Sequence, residues 1–345
     1  MPSSLRVGLV GYGYAASTFH APLIASVPGL RLAAVSSRDP GRVAAALPGV
    51  ETCDSPDKLF AREDIDLVVI PTPNDSHFPL ALAALASGKH VVVDKPFTLN
   101  AAEARELIAR AQESRRFLSV FHNRRWDGDF LTVRQLLASQ ALGRLVHFES
   151  HFDRYRPEVR ARWREIDLPG SGLWYDLGPH LLDQALMLFG PPEALSLDLD
   201  TQRDGASCVD WFHAVLRYDR LRVILHGGTL AAEPGPRFTL HGTRGSFVKR
   251  GPDRQEERLK AGVEPGGEGW GLDPDPGWLV TVCDGVETRR ACDGVPGDYR
   301  CYYAGVRDAI VTGAANPVPP GDALEVMRWL DLGLASASEG RALGL

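Results

Sequence analysis

Short apolar runs alternate with segments of helical periodicity over the first 121 residues of the chain. The runs predict strands at residues 5–10, 31–36, 50–53, 66–70, 90–94 and 117–121. The segments between them predict helices at residues 41–47, 79–87 and 101–114. Strands that are apolar on both faces and alternate with helices are typical of a parallel sheet with both faces covered. This part of the chain is therefore predicted to be an α/β domain.

A different pattern begins at residue 122. A helix at 129–140 leads into a strand at 144–151. Later apolar runs predict strands at 195–201, 209–218, 221–230, 237–241 and 247–248, followed by helices at 299–312 and 322–339. Because short turns join successive strands, this second sheet is predicted to be open and largely antiparallel within a C-terminal α/β domain. We therefore expect two domains, 1–121 and 122–345.

The predicted second domain, residues 122–345, has two further features. Polar and apolar residues alternate over 211–217 and 222–226, which predicts a sheet with two differently used faces. One face is expected to hold a helix, and the other to be solvated or to form an oligomer interface. Residues 251–277 are rich in glycine, proline and charge, and this composition predicts a long surface excursion.

The turn after the first strand has the spacing G-x-G-x-x-A, formed by Gly11, Gly13 and Ala16. Gly11 allows a tight turn, and Gly13 lets the backbone approach a pyrophosphate. Ala16 lets the next helix pack closely on the strand, and the N-terminus of that helix faces the anion. In this context the spacing favours dinucleotide binding over a plain strand–helix turn. The first domain is therefore predicted to be a Rossmann-type unit.

The end of the second strand indicates which dinucleotide binds. A site for NAD usually has an acidic residue there, which holds the ribose 2′-hydroxyl. This chain has Ser36, Ser37 and Arg38, whose hydroxyl and guanidinium groups suit the 2′-phosphate of NADP. The alternative is that Arg38 is a solvated surface residue and that Asp39 takes the acidic role, which leaves NAD possible. We expect NADP.

Ligands of such sheets bind beyond the carboxyl ends of the strands. Three polar segments lie at predicted strand ends: P-T-P-N-D-S-H at 71–77, D-K-P-F at 94–97 and F-H-N-R-R-W-D at 121–127. Lys95 follows a buried strand directly, and Pro96 restricts its backbone. Surface lysines seldom follow a buried strand end directly, so we interpret Lys95 as a functional residue.

A predicted helix within residues 169–190 carries a second candidate site. One face is apolar, and a second stripe consists of Asp176, His180, Asp183, Gln184 and Met187. Pro179 is poorly tolerated deep in a helix, so the helix is expected to begin only a few residues before it. Asp176 then lies in or just before the first turn, with His180 one turn later, an arrangement that suits a general acid–base pair. The alternative is that Asp176 caps the helix and that His180 is a core histidine.

Charge and length narrow the class of function. The 345-residue chain has a formal net charge of −6, which argues against nucleic acid or an anionic membrane as a partner. No apolar run approaches the length of a membrane span, and residues 1–4 lead into a strand without a signal-peptide pattern. We expect a cytoplasmic protein that acts on a small molecule.

The five cysteines are scattered along the chain: Cys53, Cys208, Cys283, Cys292 and Cys301. Their number is odd and no two of them form C-x-x-C, so neither a zinc site nor a disulfide framework is expected. We interpret them as buried free thiols and expect no metal.

Three motifs together carry a resemblance to a known family. They are G-x-G-x-x-A from Gly11, D-K-P at 94–96, and G-S-G-x-x-x-D-x-G-x-H at 170–180. In this order they resemble the glucose–fructose oxidoreductase/inositol dehydrogenase/MocA (Gfo/Idh/MocA) family, and the resemblance covers essentially the whole chain. F-H-A-P-L-I at 19–24, with the segments at 71–77 and 121–127, is similar to a bacterial subgroup that includes NADP-dependent scyllo-inositol dehydrogenases.

The resemblance implies a set of functional residues. Lys95, Asp176 and His180 would form the catalytic set. Cofactor contacts would come from Gly11, Tyr12, Gly13, Tyr14, Ala15, Ser37, Arg38, Thr72, Asn74, His77, Asp94 and Lys95. In two places the chain departs from the family pattern: Asp94 stands where Glu is usual, and Ser171 interrupts the usual glycine triplet. Neither departure removes a chemical group that the mechanism needs.

The expected reaction is the reversible oxidation of a secondary alcohol on a cyclic polyol or sugar similar to scyllo-inositol. The candidate substrate contacts are aromatic faces for ring carbons and guanidinium groups for hydroxyls: Arg124, Arg125, Trp126, Trp163 and Arg164. The alternative for each of them is packing between the domains. Two other functions stay open, a family member that reduces a non-sugar carbonyl or oxidises a dihydrodiol, and a non-catalytic NADP-sensing protein. We also expect a homo-oligomer, a dimer or tetramer, formed through the C-terminal sheet.

Overall fold

Two β-sheets organise the chain in a computed structural model that describes residues 4–345. The backbone divides into two compact units. The first consists of Met1–Asn123, Gln255–Trp270 and Asp298–Met327, and the second of Arg124–Arg254, Gly271–Gly297 and Arg328–Leu345. Two late segments of the chain thus join the first unit, and the domain boundary at 121/122 stays a prediction.

The first sheet is a parallel sheet of six strands. The strands are β1 (Leu5–Val10), β2 (Leu30–Ser36), β3 (Glu51–Cys53), β4 (Leu67–Ile70), β5 (His90–Val93) and β6 (Leu118–Val120). Their order is β3-β2-β1-β4-β5-β6, and every neighbouring pair is parallel. This is the strand order of the Rossmann fold, and all residues of the central strand β4 are buried. The predicted Rossmann sheet is confirmed.

Helices connect these strands. They are α1 (Ala21–Ser26), preceded by a π-helical turn at Ala16–His20, α2 (Pro40–Ala46), α3 (Pro56–Phe60), α4 (His77–Ala86) and α5 (Ala101–Glu113). The helices predicted at 41–47, 79–87 and 101–114 are confirmed to within two residues. The helix α3 was not predicted, although its start carries a recognisable signal. The Ser55 hydroxyl accepts a hydrogen bond from the Lys58 amide, and Pro56 occupies the first helical position.

The second sheet has eight strands. They are β7 (Leu145–Asp153), β8 (Ala194–Asp200), β9 (Trp211–Arg217), β10 (Arg222–Gly228), β11 (Phe238–Gly242), β12 (Gly245–Lys249), β13 (Gly277–Cys283) and β14 (Val286–Cys292). Their order is β14-β13-β12-β11-β7-β10-β9-β8. β7 pairs with β10 in parallel, and all other neighbours in the sheet are antiparallel. The predicted open, largely antiparallel sheet is therefore confirmed.

The remaining helices are α6 (Gly128–Ala138), α7 (Gly172–Phe189), α8 (Gln255–Lys260), α9 (Arg300–Thr312) and α10 (Pro320–Glu339). α7 packs against β9 and β10. On β9 the residues Phe212, Ala214 and Leu216 are buried, while the residues between them are half-buried. The sheet therefore has two differently used faces, as the alternation of polar and apolar residues predicts.

The hairpin of β13 and β14 was missed because β14 has almost no buried side chain. Four of its seven residues are charged or polar, so no apolar run marks a strand, and six of the seven are exposed in the fold. A signal was nevertheless present, since Asp284 and Gly285 join the two strands with φ angles of 50° and 76°. An Asp-Gly pair with two positive φ angles is the preferred two-residue turn of a hairpin.

The helix α7 begins earlier than predicted. It starts at Gly172, with Ser171 at its N-cap, so Pro179 lies well inside it. Pro179 lacks the amide hydrogen that would bond to the carbonyl of Tyr175. The helix continues because it buries Leu177 and Leu181 almost completely. The prediction that the helix starts just before Pro179 was wrong.

The segment at 251–277 is only in part a surface excursion: residues 260–264 and 274–276 are exposed, but other residues of the segment are buried. α8 packs against the π-helical turn Ala16–His20, and Gln255 is fully buried. Trp270 is also buried, and its indole Nε1 donates a hydrogen bond to Asp298 at 3.2 Å. A few buried side chains suffice to fix a short helix, even where glycine and proline dominate the surrounding sequence.

The cysteines are free thiols, as predicted, but none of them is fully buried. Cys53, Cys208 and Cys292 are half-buried, and Cys283 and Cys301 are exposed. Cys53 ends the edge strand β3, while Cys283 and Cys292 belong to the hairpin of β13 and β14. Strand ends and edge hairpins lack a covering layer, which is why these thiols are accessible.

We expect Gln255→Leu to destabilise the fold. The Gln255 Oε1 atom accepts a hydrogen bond from the amide of the buried residue Tyr299 at 2.8 Å. Leucine leaves that amide unpaired, which costs about 1–3 kcal/mol. Urea unfolding followed by circular dichroism measures the loss. Gln112→Leu, on the exposed side of α5, is the control and should unfold within about 0.5 kcal/mol of the wild type. Equal midpoints for both variants would contradict the buried role of Gln255.

Candidate functional site

The glycine-rich turn at the end of β1 has the backbone that the motif requires. Gly11 has a φ of 84°, which strongly favours glycine, and its amide donates to the Ser36 carbonyl at 2.8 Å. A Cβ atom on Gly13 would meet nothing within 4 Å, so the turn presents open backbone. Ala16 is fully buried. The turn therefore has both the tight geometry and the accessible surface on which a pyrophosphate can bind.

The end of β2 shows how Asp39 is used. Its Oδ1 atom accepts a hydrogen bond from the Arg42 amide at 3.0 Å and caps α2, while the Asp39 amide donates to the Ser37 hydroxyl at 3.0 Å. Arg38 is exposed, and the guanidinium of Arg42 lies 5.9 Å from the centre of the Tyr12 ring. Two exposed arginines thus flank this strand end. Sequence reasoning missed Arg42, because only the cap places the first turn of α2 beside Tyr12.

The loops after β4 and β5 are joined by His77. Its Nδ1 atom lies 2.8 Å from the Pro96 carbonyl oxygen and its Nε2 atom 2.9 Å from the Thr72 carbonyl oxygen. His77 is fully buried and Asn74 nearly so. His77 therefore holds two neighbouring strand ends together, and the sequence-predicted residues of the first unit lie at a single edge of the parallel sheet.

Asp94 is a buried carboxylate beside Lys95. Its Oδ1 atom accepts a hydrogen bond from the Lys95 amide at 2.7 Å, and its Oδ2 atom lies 3.6 Å from the Nε2 atom of His20. Burial opposes ionisation, but the hydrogen bond and charge of His20, with the charges of Lys95 and His77, outweigh it and lower the pKa of Asp94 to about 2. Asp94 is therefore a fixed negative charge next to the half-buried Lys95.

His20 and Tyr303 extend this arrangement, and sequence reasoning missed both as site residues. The Nδ1 atom of His20 lies 2.5 Å from the Tyr303 hydroxyl, and both side chains are fully buried. Burial raises the pKa of Tyr303 well above its usual value. His20 belongs to the F-H-A-P-L-I segment, which served only as a marker of a subgroup. Tyr303 is too distant in sequence to have been linked with it.

In the second unit, the 3₁₀ turn at Asn123–Trp126 presents its arginines inward. Arg125 is buried and donates to both carboxylate oxygens of Asp183, at 2.6 and 2.9 Å. Arg124 is also buried, with its guanidinium 4.7 Å from the Phe152 ring and 3.3 Å from Asp127. Both arginines thus anchor this turn, which limits their availability to a substrate. Trp126, the third predicted substrate contact in this turn, is half-buried.

Asp176 and His180 lie one turn apart on α7. Ser171 occupies the N-cap position, so the alternative that Asp176 caps the helix is wrong. His180 is buried, and Asp176 is half-buried in a cleft of the second unit. The Asp176 carboxylate has two arginines nearby: Arg164 Nε at 3.5 Å and Arg154 Nη1 at 4.0 Å. Asp176 is therefore the member of the pair that reaches a solvent-accessible cleft.

The predicted substrate contacts Trp163 and Arg164 lie beside this cleft. They form a short 3₁₀ turn at Trp163–Glu165, and the guanidinium of Arg164 stacks 4.4 Å from the centre of the Trp163 ring. Arg154 was missed by the sequence analysis, because it follows the end of β7 and reaches Asp176 only through the fold of the sheet.

The fold and these residues define a class, the oxidoreductases with a Rossmann domain for a nicotinamide cofactor. Residues 5–122 match the description "Oxidoreductase family, NAD-binding Rossmann fold", and residues 134–345 match "Oxidoreductase family, C-terminal alpha/beta domain". Both descriptions belong to Gfo/Idh/MocA. The chain is thus a member of the Gfo/Idh/MocA oxidoreductase family, which confirms the resemblance.

Relatives match over the full length. The uncharacterized oxidoreductase YdgJ of Escherichia coli is 54% identical over 345 residues, with 100% of each chain covered. The scyllo-inositol 2-dehydrogenase (NADP(+)) IolW of Bacillus subtilis is 37% identical. The match covers 99% of this chain and 96% of that protein. The solved structure of YPO2259 from Yersinia pestis superimposes with a TM-score of 0.96 at 54% identity, covering 100% of this chain and 98% of the other.

None of the helices within residues 4–345 combines the length and the apolar character that crossing a bilayer requires.

Proposed function

We propose that this oxidoreductase transfers a hydride between NADP and a secondary alcohol or ketone of a cyclic polyol or sugar. The observation that carries the proposal is the pairing of Asp176 and His180, one turn apart on α7, with Asp176 in an accessible cleft. A carboxylate and an imidazole so spaced suit proton transfer to and from a hydroxyl. The name of the relative IolW, a scyllo-inositol 2-dehydrogenase that uses NADP, supports the same substrate class.

In the proposed mechanism each of three residues has a separate task. A nicotinamide cofactor held at the glycine turn of Gly11 and Gly13 would supply the acceptor for the hydride of the alcohol carbon. The neutral imidazole of His180 takes the hydroxyl proton, and the Asp176 carboxylate orients the imidazole or a neighbouring hydroxyl. Lys95 donates a hydrogen bond to the reacting oxygen and stabilises its developing negative charge. The products are the ketone, the reduced cofactor and a proton, so atoms and charge balance.

The preference for NADP over NAD rests on the end of β2. Ser37, Arg38 and Arg42 offer a hydroxyl and two guanidinium groups, which suit a 2′-phosphate. Asp39, the acidic residue that an NAD site would need, already caps α2. The open backbone at Gly13 fits the pyrophosphate of either dinucleotide.

We further propose that the protein forms a homo-oligomer through the face of the second sheet that is turned away from α7. Trp211, His213 and Val215 on β9 point to that face and are half-buried. A row of aromatic and aliphatic side chains on an uncovered sheet suits contact with a second copy.

Cofactor preference is expected to depend on Arg38. Arg38→Ala should weaken NADPH binding by about 1.5–3 kcal/mol, the scale of a charged hydrogen bond, and leave NADH binding nearly unchanged. Fluorescence titration of the reduced cofactors gives both affinities. Arg31→Ala, an exposed arginine at the start of β2, is the control and should change neither. A wild type that binds NADPH and NADH equally well would overturn the assignment.

Lys95 is expected to act in the chemical step. Lys95→Ala should lower kcat by about 100-fold or more while cofactor binding survives, because the lost interaction forms at the reacting oxygen. Steady-state kinetics on the best polyol substrate and a cofactor titration separate the two effects. Lys58→Ala, on the surface of the same unit, should behave like the wild type. Normal turnover by the Lys95 variant would reduce Lys95 to a structural residue.

The pH dependence of alcohol oxidation should follow one imidazole. Since His180 must be neutral to accept a proton, kcat/KM should rise with pH across about pH 6–8, and His180→Ala should abolish this limb and most of the rate. The carboxylate of Asp176 favours the protonated imidazole, so Asp176→Asn should move the limb towards lower pH.

The nearby guanidinium groups of Arg154 and Arg164 oppose the effect of Asp176 and limit the size of that shift. Thermal melts of the same preparations provide the control for folding. A lower melting temperature combined with an unchanged pH profile would make Asp176 and His180 structural residues.

A further inference from the structure

Arginine side chains dominate a cleft of the second unit beside the N-terminal half of α7. The cleft opens to solvent, so its lining is accessible to a ligand. Its charged lining is Arg154, Arg156, Arg162, Arg164, Arg203, Glu165, Asp176 and Asp210. Guanidinium groups therefore clearly outnumber carboxylates in the cleft that contains the proposed orienting residue Asp176.

Two of the carboxylates are already bonded to two of the arginines. Arg203 is buried and donates to Asp210 at 2.8 Å and to Glu165 at 3.0 Å. Arg162 also donates to Glu165, at 2.5 Å. These charge-assisted bonds neutralise the inner wall of the cleft and leave the other three arginines with Asp176 as their acidic neighbour in the lining.

Arg154 and Arg164 lie near Asp176 but at longer range. The distances of 4.0 Å and 3.5 Å exceed the 2.7–2.9 Å that is typical of a charge-assisted hydrogen bond. Both guanidinium groups are only partly exposed, at 23% and 25%. Their donors can thus turn to a ligand without breaking a short bond to Asp176.

Arg156 is the least compensated charge in the cleft. Within residues 4–345 its half-buried side chain forms no ion pair and no hydrogen bond. Burial lowers the pKa of Arg156, the neighbouring charges of Arg154, Arg162 and Arg160 lower it further, and the carboxylate of Asp176 offsets this only in part. A partly desolvated guanidinium surrounded by like charges is unfavourable by itself and becomes favourable when an anion binds.

We propose that Arg154, Arg156 and Arg164 bind an anionic group of the substrate, a carboxylate or a phosphate. Both groups match the planar fork of a guanidinium, which binds them through two parallel hydrogen bonds. The inference rests on the proposed function and narrows its substrate to a polyol or sugar that carries an acid group, that is, a sugar acid or a phosphorylated polyol. Asp176 in the same cleft provides an acceptor for the hydroxyls of such a molecule.

The same arginines would also suit a phosphate of the cofactor. The anionic group of a substrate therefore has to be distinguished from the cofactor as the ligand of the cleft. The observations favour the substrate, because the three arginines share the cleft with Asp176 in the second unit. The glycine turn and Arg38 belong to the first unit.

The test is a calorimetric titration of the full-length, untagged protein with NADPH present, using glucose, glucuronate and glucose 6-phosphate as matched probes. At least one of the two anions should bind about tenfold more tightly than glucose, the scale of one charged hydrogen bond. Comparison of the two anions distinguishes a carboxylate from a phosphate. Arg156→Gln should remove most of the gain and leave NADPH affinity within twofold.

Arg160→Gln, an exposed arginine of the same loop, is the matched control and should retain the preference for the anion. Arg164→Gln replaces Arg156→Gln if the latter does not fold. Glucose binding as tightly as both anions, or an anion affinity unchanged by Arg156→Gln, would overturn the inference. So would a tenfold loss of NADPH affinity in Arg156→Gln, since the cleft would then hold the cofactor.

A turnover assay separates this inference from the proposed function. Oxidation of scyllo-inositol by a protein that binds neither anion would overturn the anion site and leave the proposed function intact. Tight binding of an anion without turnover of any polyol or sugar would support the anion site and contradict the proposed function.

Discussion

The burial of the Asp94 carboxylate constrains much of the first unit. A carboxylate removed from water needs partners, and Asp94 has the amide of Lys95 and the ring of His20, which in turn contacts the Tyr303 hydroxyl. These contacts connect the turn before α1, the end of β5 and the start of α9. The backbone at Lys95 is fixed as a consequence, directly beside a permanent negative charge.

In the second unit, the polar stripe of α7 is divided between residues that bond inside the unit and a residue that lines the cleft. Asp183 binds Arg125, and Gln184 accepts from Arg237 at 3.0 Å, so the C-terminal part of the stripe is used inside the unit. Asp176, nearer the N-terminus, lines the cleft instead. A buried polar group must find partners, and the partners available along α7 decide which of its residues stay accessible.

Family membership and substrate preference depend on different parts of the chain. The two family descriptions match residues 5–122 and 134–345, relatives match over the full length, and one of those relatives is named for a neutral polyol. The arginine cleft is built from a loop after β7 and from Arg203, where single side chains change the charge without changing the fold. Function within a fold is set by such sites and not by the fold itself.

The sequence alone determined the Rossmann sheet, the second antiparallel sheet and the glycine turn, because hydrophobic periodicity and turn residues are local properties. It also singled out Lys95, Asp176 and His180 as candidates. Only the tertiary structure decided how the polar residues are paired. Arg125 and Asp183 are 58 positions apart, and His20 and Tyr303 are 283 apart. The same holds for α8, whose burial depends on its packing against the turn Ala16–His20. Such pairings depend on which strands and helices become neighbours, and no local pattern records that.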